Sequence, residues 1–311
     1  MGIVVIGSVF VDIKGYPLSK YIPTGRNVGR VEQVHGGVAR NVVENIANVE
    51  LRPVFLGLVD DTGTGTEVIE KLKKHKVNTD YMMRTPNGMG TWLVIFDNSG
   101  DVAGSISKRP DLLPILDILE EKGDEIFSNA DSIVLEIDEE KELVKKIFQL
   151  AQKYNKPVYA VVSNMSIAAD RRDFLKDVAC FVCNEQEAGI LFMEEYEDKT
   201  PEELSVILMD KIKMAGIPRM VVTLGGKGAV YADMESGECG VCPAINVEVR
   251  DTAGAGDAFF SGVTIGLTYG KTLRESCEIG SKLAAAVITS TENVCPRYLP
   301  KEFGIDIEVE D

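Results

Sequence analysis

The residues best equipped for chemistry stand near the C-terminal end, in DTAGAGDAFFSG, Asp251 to Gly262. A turn needs one glycine and a helix start needs one cap, and this stretch exceeds both. Gly254 and Gly256 let backbone N–H groups turn inward with no Cβ in the way. The helical pattern that follows, with Phe259, Val263 and Leu267 among its apolar positions, adds the free donors and partial positive charge of a helix N-terminus. The combination predicts an anion cradle suited to a phosphate in transit. Asp257, in the first helical turn, is placed to accept a hydroxyl proton as that oxygen attacks phosphorus. A plainer reading stays open, in which Asp257 caps a helix and the glycines only turn the chain.

Three further stretches carry polar residues at suggestive spacing. In HGGVARNVVENIANV, His35 to Val49, two glycines open a helical pattern with Val38, Val42, Ile46 and Val49 as an apolar stripe. Asn41 and Asn45 share another face of it. Asparagine is a poor helix former, so this face reads either as a hydrogen-bonding surface for polyol hydroxyls or as an ordinary solvated face. In CNEQEAGIL a strand ends at Asn184 and Glu187 follows three residues on. The pair reads as a capping box or as a polar end for phosphate and metal-bound water. VVTLGGKGAVY, Val221 to Tyr231, reads as a hairpin that could also lie along a nucleotide.

These pieces need a scaffold. Apolar runs at Ile3–Ile6, Val54–Gly57, Ser132–Leu135, Val158–Val162, Cys180–Cys183 and Met220–Leu224 predict central strands. Gly65–Lys74, Glu139–Tyr154 and Pro201–Ala215 read as amphipathic helices between them, and Ile245–Arg250 as a strand leading into the cradle. This alternation predicts an α/β fold with a mainly parallel sheet covered by helices on both faces and right-handed crossovers. Two segments break it, roughly 9–34 and 90–107. Both read as β structure, the second as a hairpin around Asn98-Ser99-Gly100, and together they predict a small β lid. The C-terminal IDIEVED reads as a solvated edge strand or frayed end. With no linker-like tract, residues 1–311 are expected to form one domain.

Composition narrows the function. A net charge of −16 argues against binding nucleic-acid polymers, although a local anion site remains compatible with it. The N-terminal MGIVVIGSVFVDIKGY has neither a basic leader nor a cleavage site and reads as a buried strand. No apolar run is long enough to span a membrane, so a cytoplasmic chain is expected. The pairs Cys180/Cys183 and Cys239/Cys242 lie too far apart for a typical zinc site. Residues three apart on a strand also face opposite ways, so the thiols read as reduced and structural.

Taken in order, these four stretches resemble the PfkB/ribokinase family of carbohydrate and nucleoside kinases. DTAGAGDAF resembles its D-T-x-G-A-G-D signature, GGVARN its N-terminal Gly-Gly…Asn signature, Asn184 and Glu187 its N-x-x-E motif, and TLGGKG its nucleotide-side turn. VDDTGTGTEVIEKLKKHKVNTDYM also resembles the family. GGVARNVVEN and VDIKGY are most similar to the pseudouridine kinases. The resemblance implies a ribokinase-like fold and transfer of the ATP γ-phosphoryl group to a primary hydroxyl of a sugar or nucleoside. It implies Asp257 as base and the amides of Ala253, Gly254, Ala255 and Gly256 as anion hole. It implies Asp12, Gly36, Gly37 and Asn41 on the acceptor, and Thr223, Gly225, Gly226 and Gly228 along ATP. Asn184 and Glu187 would organise Mg²⁺ through water, and a K⁺ ion would sit near the Asp251-Thr252 pair and the loop Thr289–Cys295. A homodimer through the lid is expected, because exposed β edges pair.

One departure stands out: Ser163 and Asn164 replace an Asp-Pro that several relatives carry beside the acceptor pocket. Arg171 and Arg172 follow, either meeting phosphate or forming an exposed basic pair. Two rival functions remain: a binding or sensing protein that kept the pocket and lost the chemistry, and a dinucleotide-dependent oxidoreductase. The last lacks a Gly-rich fingerprint after the first strand, where GSVFVD stands instead.

Overall fold

The computed structural model describes residues 2–98 and 101–307. Eight strands form a central sheet in the order β14 (Cys239–Cys242), β13 (Ala229–Asp233), β12 (Arg219–Thr223), β11 (Cys180–Asn184), β10 (Val158–Val161), β9 (Ala130–Glu136), β1 (Gly2–Ile6) and β4 (Val54–Leu56). From β12 to β4 every pairing is parallel, whereas β13 and β14 add an antiparallel edge. All six strands expected from apolar runs lie in the parallel part. The β12–β13 pair is the hairpin read from VVTLGGKGAVY. Ile245–Arg250 is the exception: it belongs to no strand. Its period-two pattern has a different cause, since Ile245, Val247 and Val249 line a cleft rather than a sheet face.

A parallel sheet must be covered on both faces, and alternate residues of each strand divide accordingly. Val4, Ile6, Ile133, Leu135, Phe181 and Cys183 pack into one core, with α3 (Ile115–Asn129), α4 (Lys141–Lys153), α7 (Glu185–Phe192) and α8 (Pro201–Ala215) over it. Ile3, Val5, Val134, Cys180 and Val182 pack into the other, under α1 (Val38–Asn48), α2 (Gly63–Lys74), α9 (Ala255–Thr268) and α10 (Leu273–Ile288). Cys180 and Cys183 thus face opposite cores. The remaining elements are short: β5 (Leu58–Val59), β6 (Met83–Arg84), α5 (Met165–Ala168) and α6 (Arg172–Leu175). All six cysteines are free thiols, and burial pushes those of Cys180 and Cys295 up to about 12.

A second sheet of four strands stands apart, in the order β3 (Gly29–Gly36), β2 (Phe10–Pro17), β7 (Gly90–Phe96) and β8 (Val102–Lys108). It is built from the two segments that lack helical periodicity. The β7–β8 hairpin is antiparallel, and Ser99 and Gly100 at its turn lie outside the described residues. Asp12 and Trp92 sit on one face of this sheet; Ile13, Leu93 and Ile106 are register partners on the other. Residues 308–311 of the C-terminal stretch also lie outside the described residues, and Ile305–Ile307 before them belong to no strand.

Candidate active site

A cleft of about 540 Å³ opens between the β11–β12 strand ends and the pair α9–α10. Thr223, Gly225, Gly226, Gly228 and Asn184 lie along one wall. Ile245, Val247, Val249, Phe259, Ala284 and Ile288 give the cleft an apolar lining. An apolar slot with polar groups at one end suits a flat heterocycle carrying phosphates. Thr252, Ala255 and Gly256 close its inner end, so the helix terminus of α9 faces into the cleft.

That terminus is built as the glycines predict, with one change. Gly254 is the N-cap in a left-handed conformation, φ 80°. A Cβ there would meet the carbonyl oxygen of Asn293 at 2.1 Å, so only glycine lets the 289–295 loop lie against the cradle. The Ala253 amide donates to Asp251 Oδ1 at 2.9 Å, and the Ala255 amide closes a turn on the Thr252 carbonyl. Both are thereby taken out of the expected anion-binding set. The amides of Gly254, Gly256 and Asp257 find no protein acceptor among the described residues. They are the donors left for an anion.

Asp257 sits in the first turn of α9 and is partly buried. Its carboxyl is pushed up to about 7. Loss of hydration is the main cause, opposed by the Asn41 hydrogen bond and reinforced by Glu136 and Asp12 nearby. Asn41, 216 positions earlier in the chain, donates from Nδ2 to Asp257 Oδ2 at 2.7 Å. The helix α1 that carries it is far from a solvated face. Arg40, Asn41, Glu44, Asn45 and Asn48 are all buried, and Asn45 Oδ1 accepts from the Cys295 amide at 2.7 Å. Asn45 therefore serves the 289–295 loop, and only Asn41 of the pair reaches Asp257.

Asp12 on β2 and the Gly36–Gly37 turn complete this side. A Cβ on Gly36 would meet Asp12 Oδ2 at 2.5 Å, so the carboxylate rests directly on glycine backbone. Gly37 takes φ 99° as the N-cap of α1. Asp12 is half-buried and its carboxyl is raised by burial, which Lys14 and Arg40 partly offset.

Glu136, Asp138 and Arg109 belong to this region too, although the sequence reading passed over them. Glu136, at the end of β9, is fully buried; its carboxylate accepts from Ser8 Oγ at 2.8 Å and the Ala39 amide at 2.5 Å. Asp138 accepts from the Ser163 amide, the Ser163 hydroxyl and the Asn164 amide at 2.7–3.0 Å. The loop with Ser-Asn in place of Asp-Pro is thus held by hydrogen bonds rather than by a proline ring. Arg109, just past strand β8, pairs with Asp138 and Glu139 at 2.9 and 3.2 Å. The available signal was LEIDEE: acids directly after an apolar run, at the carboxyl end of a parallel strand, where ligands collect.

Asn184 and Glu187 form a complete capping box: Asn184 Oδ1 accepts from the Glu187 amide at 2.9 Å, and Glu187 Oε2 from the Asn184 amide at 2.7 Å. Burial and the Asp138 charge raise the Glu187 carboxyl. Among the described residues no three His, Cys, Asp or Glu side chains cluster as a metal cage. The two oxygen-bearing side chains at this strand end suit a cation that keeps most of its water, which is the usual habit of Mg²⁺. Arg172 opens the short helix α6 and lines a separate surface cleft with Met193 and Met214, away from these groups; the Arg171 side chain lies outside the described residues. No helix among the described residues is long and apolar enough to cross a membrane.

The geometry has known counterparts. Residues 2–295 match the family described as pfkB family carbohydrate kinase. The guanosine-inosine kinase of Exiguobacterium acetylicum is 34% identical over 292 residues, covering 94% of this chain and 95% of that one. The pseudouridine kinase of Escherichia coli is 27% identical over 273 residues, covering 84% and 82%. The ribokinase of Arabidopsis thaliana, solved with ribose and ATP, superposes with a TM-score of 0.81 at 20% identity and 97% coverage of both chains. This chain therefore belongs to the pfkB family of carbohydrate kinases, phosphotransferases acting on hydroxyl groups.

Proposed function

We propose that the protein transfers the γ-phosphoryl group of ATP to the primary hydroxyl of a ribonucleoside. The observation that carries the transfer chemistry is Asp257: a carboxyl raised to about 7, bonded to Asn41, in a helix turn where three amides find no acceptor among the described residues. Nucleoside is preferred over free sugar on the 34% identity to a guanosine-inosine kinase, together with the 27% identity to a pseudouridine kinase.

In this reading ATP lies in the 540 Å³ cleft, its base against the apolar wall and its phosphates toward Gly225, Gly226 and the α9 terminus. Asp12, Gly36, Gly37 and Asn41 hold the acceptor's hydroxyls. Asp257 takes the proton of the attacking hydroxyl, and the amides of Gly254, Gly256 and Asp257 receive the charge that develops on the transferred group. Asn184 and Glu187 would hold the water shell of Mg²⁺, which when bound neutralises phosphate charge. The lid closes over the acceptor and excludes water that would hydrolyse ATP. A K⁺ ion between Asp251 and the 289–295 loop belongs to the same proposal, and replacing K⁺ by Na⁺ in the assay tests it.

The lid also suggests an assembly. Its outer face carries Val31, Leu93, Ile95 and Ile106, between 40% and 71% exposed, with Ile13 among them. We propose that a second copy of the chain covers this face.

The test is ADP release from Mg·ATP with guanosine, inosine, pseudouridine, adenosine, ribose and fructose, run beside Asp257→Asn. Turnover with nucleosides that falls by about 10²–10⁴-fold in the variant supports both assignments. Turnover only with free sugars removes the nucleoside reading, and turnover surviving in Asp257→Asn removes the base.

A further inference from the structure

Arg40 is 1% exposed, and arginine is rarely this buried unless all its donors are used. Its guanidinium donates to Glu44, to the carbonyls of His35 and Gly36, and to Asn41 Oδ1. Asn293 Nδ2, from the 289–295 loop, donates to the same Asn41 oxygen at 3.2 Å. Two donors at one end of an amide require oxygen there, so the other end must be NH₂. That end meets Asp257. Glu44 balances the buried cation and is itself paired with Lys71 at 3.0 Å, with His75 at 3.5 Å. Burial alone would raise the Glu44 carboxyl, but Arg40 and Lys71 hold it below the usual range.

We propose that Arg40 is a positioning residue for phosphoryl transfer: from outside the pocket it fixes the Asn41 amide to donate to Asp257, and it pins the His35–Gly36 carbonyls of the acceptor turn. The proposal rests on the reading of Asp257 as base. Arg40 itself, on the buried side of α1, is too enclosed to touch either substrate. The groups that set the ionisation of Asp257 come from three elements: Arg40 and Asn41 from α1, Glu136 from β9 and Asp12 from β2. The two cooperating influences from α1 both favour the carboxylate, and both depend on Arg40.

The double variant Arg40→Met/Glu44→Met replaces the buried pair with apolar groups of similar length, a change that folds often tolerate. Lys71 and His75 keep side-chain exposures of 33% and 27% and can turn to water. With Tm confirming the fold, the acid limb of kcat/KM should move up by about one pH unit and kcat should drop roughly tenfold. Acceptor KM should rise while ATP KM stays put. Arg40→Lys keeps the charge but not the fork, so it should restore the limb and leave kcat reduced. A folded double variant with wild-type limb and kcat overturns the proposal. If the double variant does not fold, wild-type kcat in Arg40→Lys overturns it instead. Failure of the base reading is separate: it appears as turnover surviving in Asp257→Asn, with an acid limb that persists there.

Discussion

Gly254 and Gly256 differ by two residues and should respond to alanine in opposite ways. At Gly254 the backbone sits at φ 80°, where a Cβ costs roughly 1–2 kcal/mol. That Cβ would also stand 2.1 Å from the Asn293 carbonyl oxygen, so one of the two segments must retreat by roughly an ångström. Gly254→Ala should therefore lose about 2–4 kcal/mol of stability. A displacement of that size in the cradle costs on the order of 10²-fold in turnover. At Gly256 a Cβ meets nothing within 4 Å, and the residue lies inside α9 with ordinary helical backbone. Gly256→Ala should hold or gain up to about 1 kcal/mol, because alanine is the better helix former. Its methyl, however, projects at the cleft wall where we place the transferred phosphate. Turnover should fall by about 10-fold or more while Tm is unchanged. The assay is ADP release against acceptor concentration, with a thermal melt on each variant. Wild-type kcat/KM in Gly256→Ala refutes the placement of the phosphate. An unchanged Tm in Gly254→Ala refutes the packing argument.

Three other outcomes follow from the site. As the proposed base, Asp257 must be ionised to accept a proton, and its raised value puts the acid limb of kcat/KM near pH 7. Activity should fall about tenfold per unit well below that, where an ordinary aspartate would leave it flat until about pH 4. A profile flat from pH 8 to 5 contradicts the assignment. Asp138→Ala removes the acceptor of Ser163, Asn164 and Arg109. Stability should drop by about 1–3 kcal/mol, because two amides and a hydroxyl lose their acceptor while Arg109, about a third exposed, can turn to water. A milder Asp138→Asn should raise acceptor KM and leave ATP KM alone, as steady-state kinetics can check. Ile106→Glu, on the exposed face of the lid, should turn a dimer into a monomer in light scattering, and a wild-type chain already monomeric excludes that interface.

Much of the fold was legible because a parallel sheet writes a plain signal: apolar runs such as Val158–Val161 and Met220–Val222, fully buried on both sides. Ile245–Arg250 misled because alternation reports only that one side of an extended chain is apolar, not what covers it. The α9 terminus was legible from its glycines, since few other needs place two of them before a first-turn acid. Asn41 was legible as an odd residue for a helix, whereas its partner Asn45 proved to bind the 289–295 loop. Glu136 and Asp138 escaped because their partners lie between 25 and 128 positions away, which no local pattern encodes, whereas Arg40 bonds within five positions of itself and escaped because its burial is not written in the helix pattern. The Asn184–Glu187 spacing fits a capping box and a metal-water site equally, and the capping hydrogen bonds are present whether or not the second role is also played.

The central sheet, finally, divides the thiols as it divides the cores. Cys183 is sealed in one layer, and Cys180, Cys277 and Cys295 in the other, while Cys239 at the antiparallel edge is half-open. Burial holds the sealed thiols far from their reactive form. Each can therefore be alkylated only when its own layer opens, and Cys239 supplies the background. The chain carries its own pair of opening clocks, one on each side of the sheet. The α9–α10 layer under the cradle can be timed separately from the α3–α4 layer behind it, with nucleotide present or absent and without adding a foreign label site.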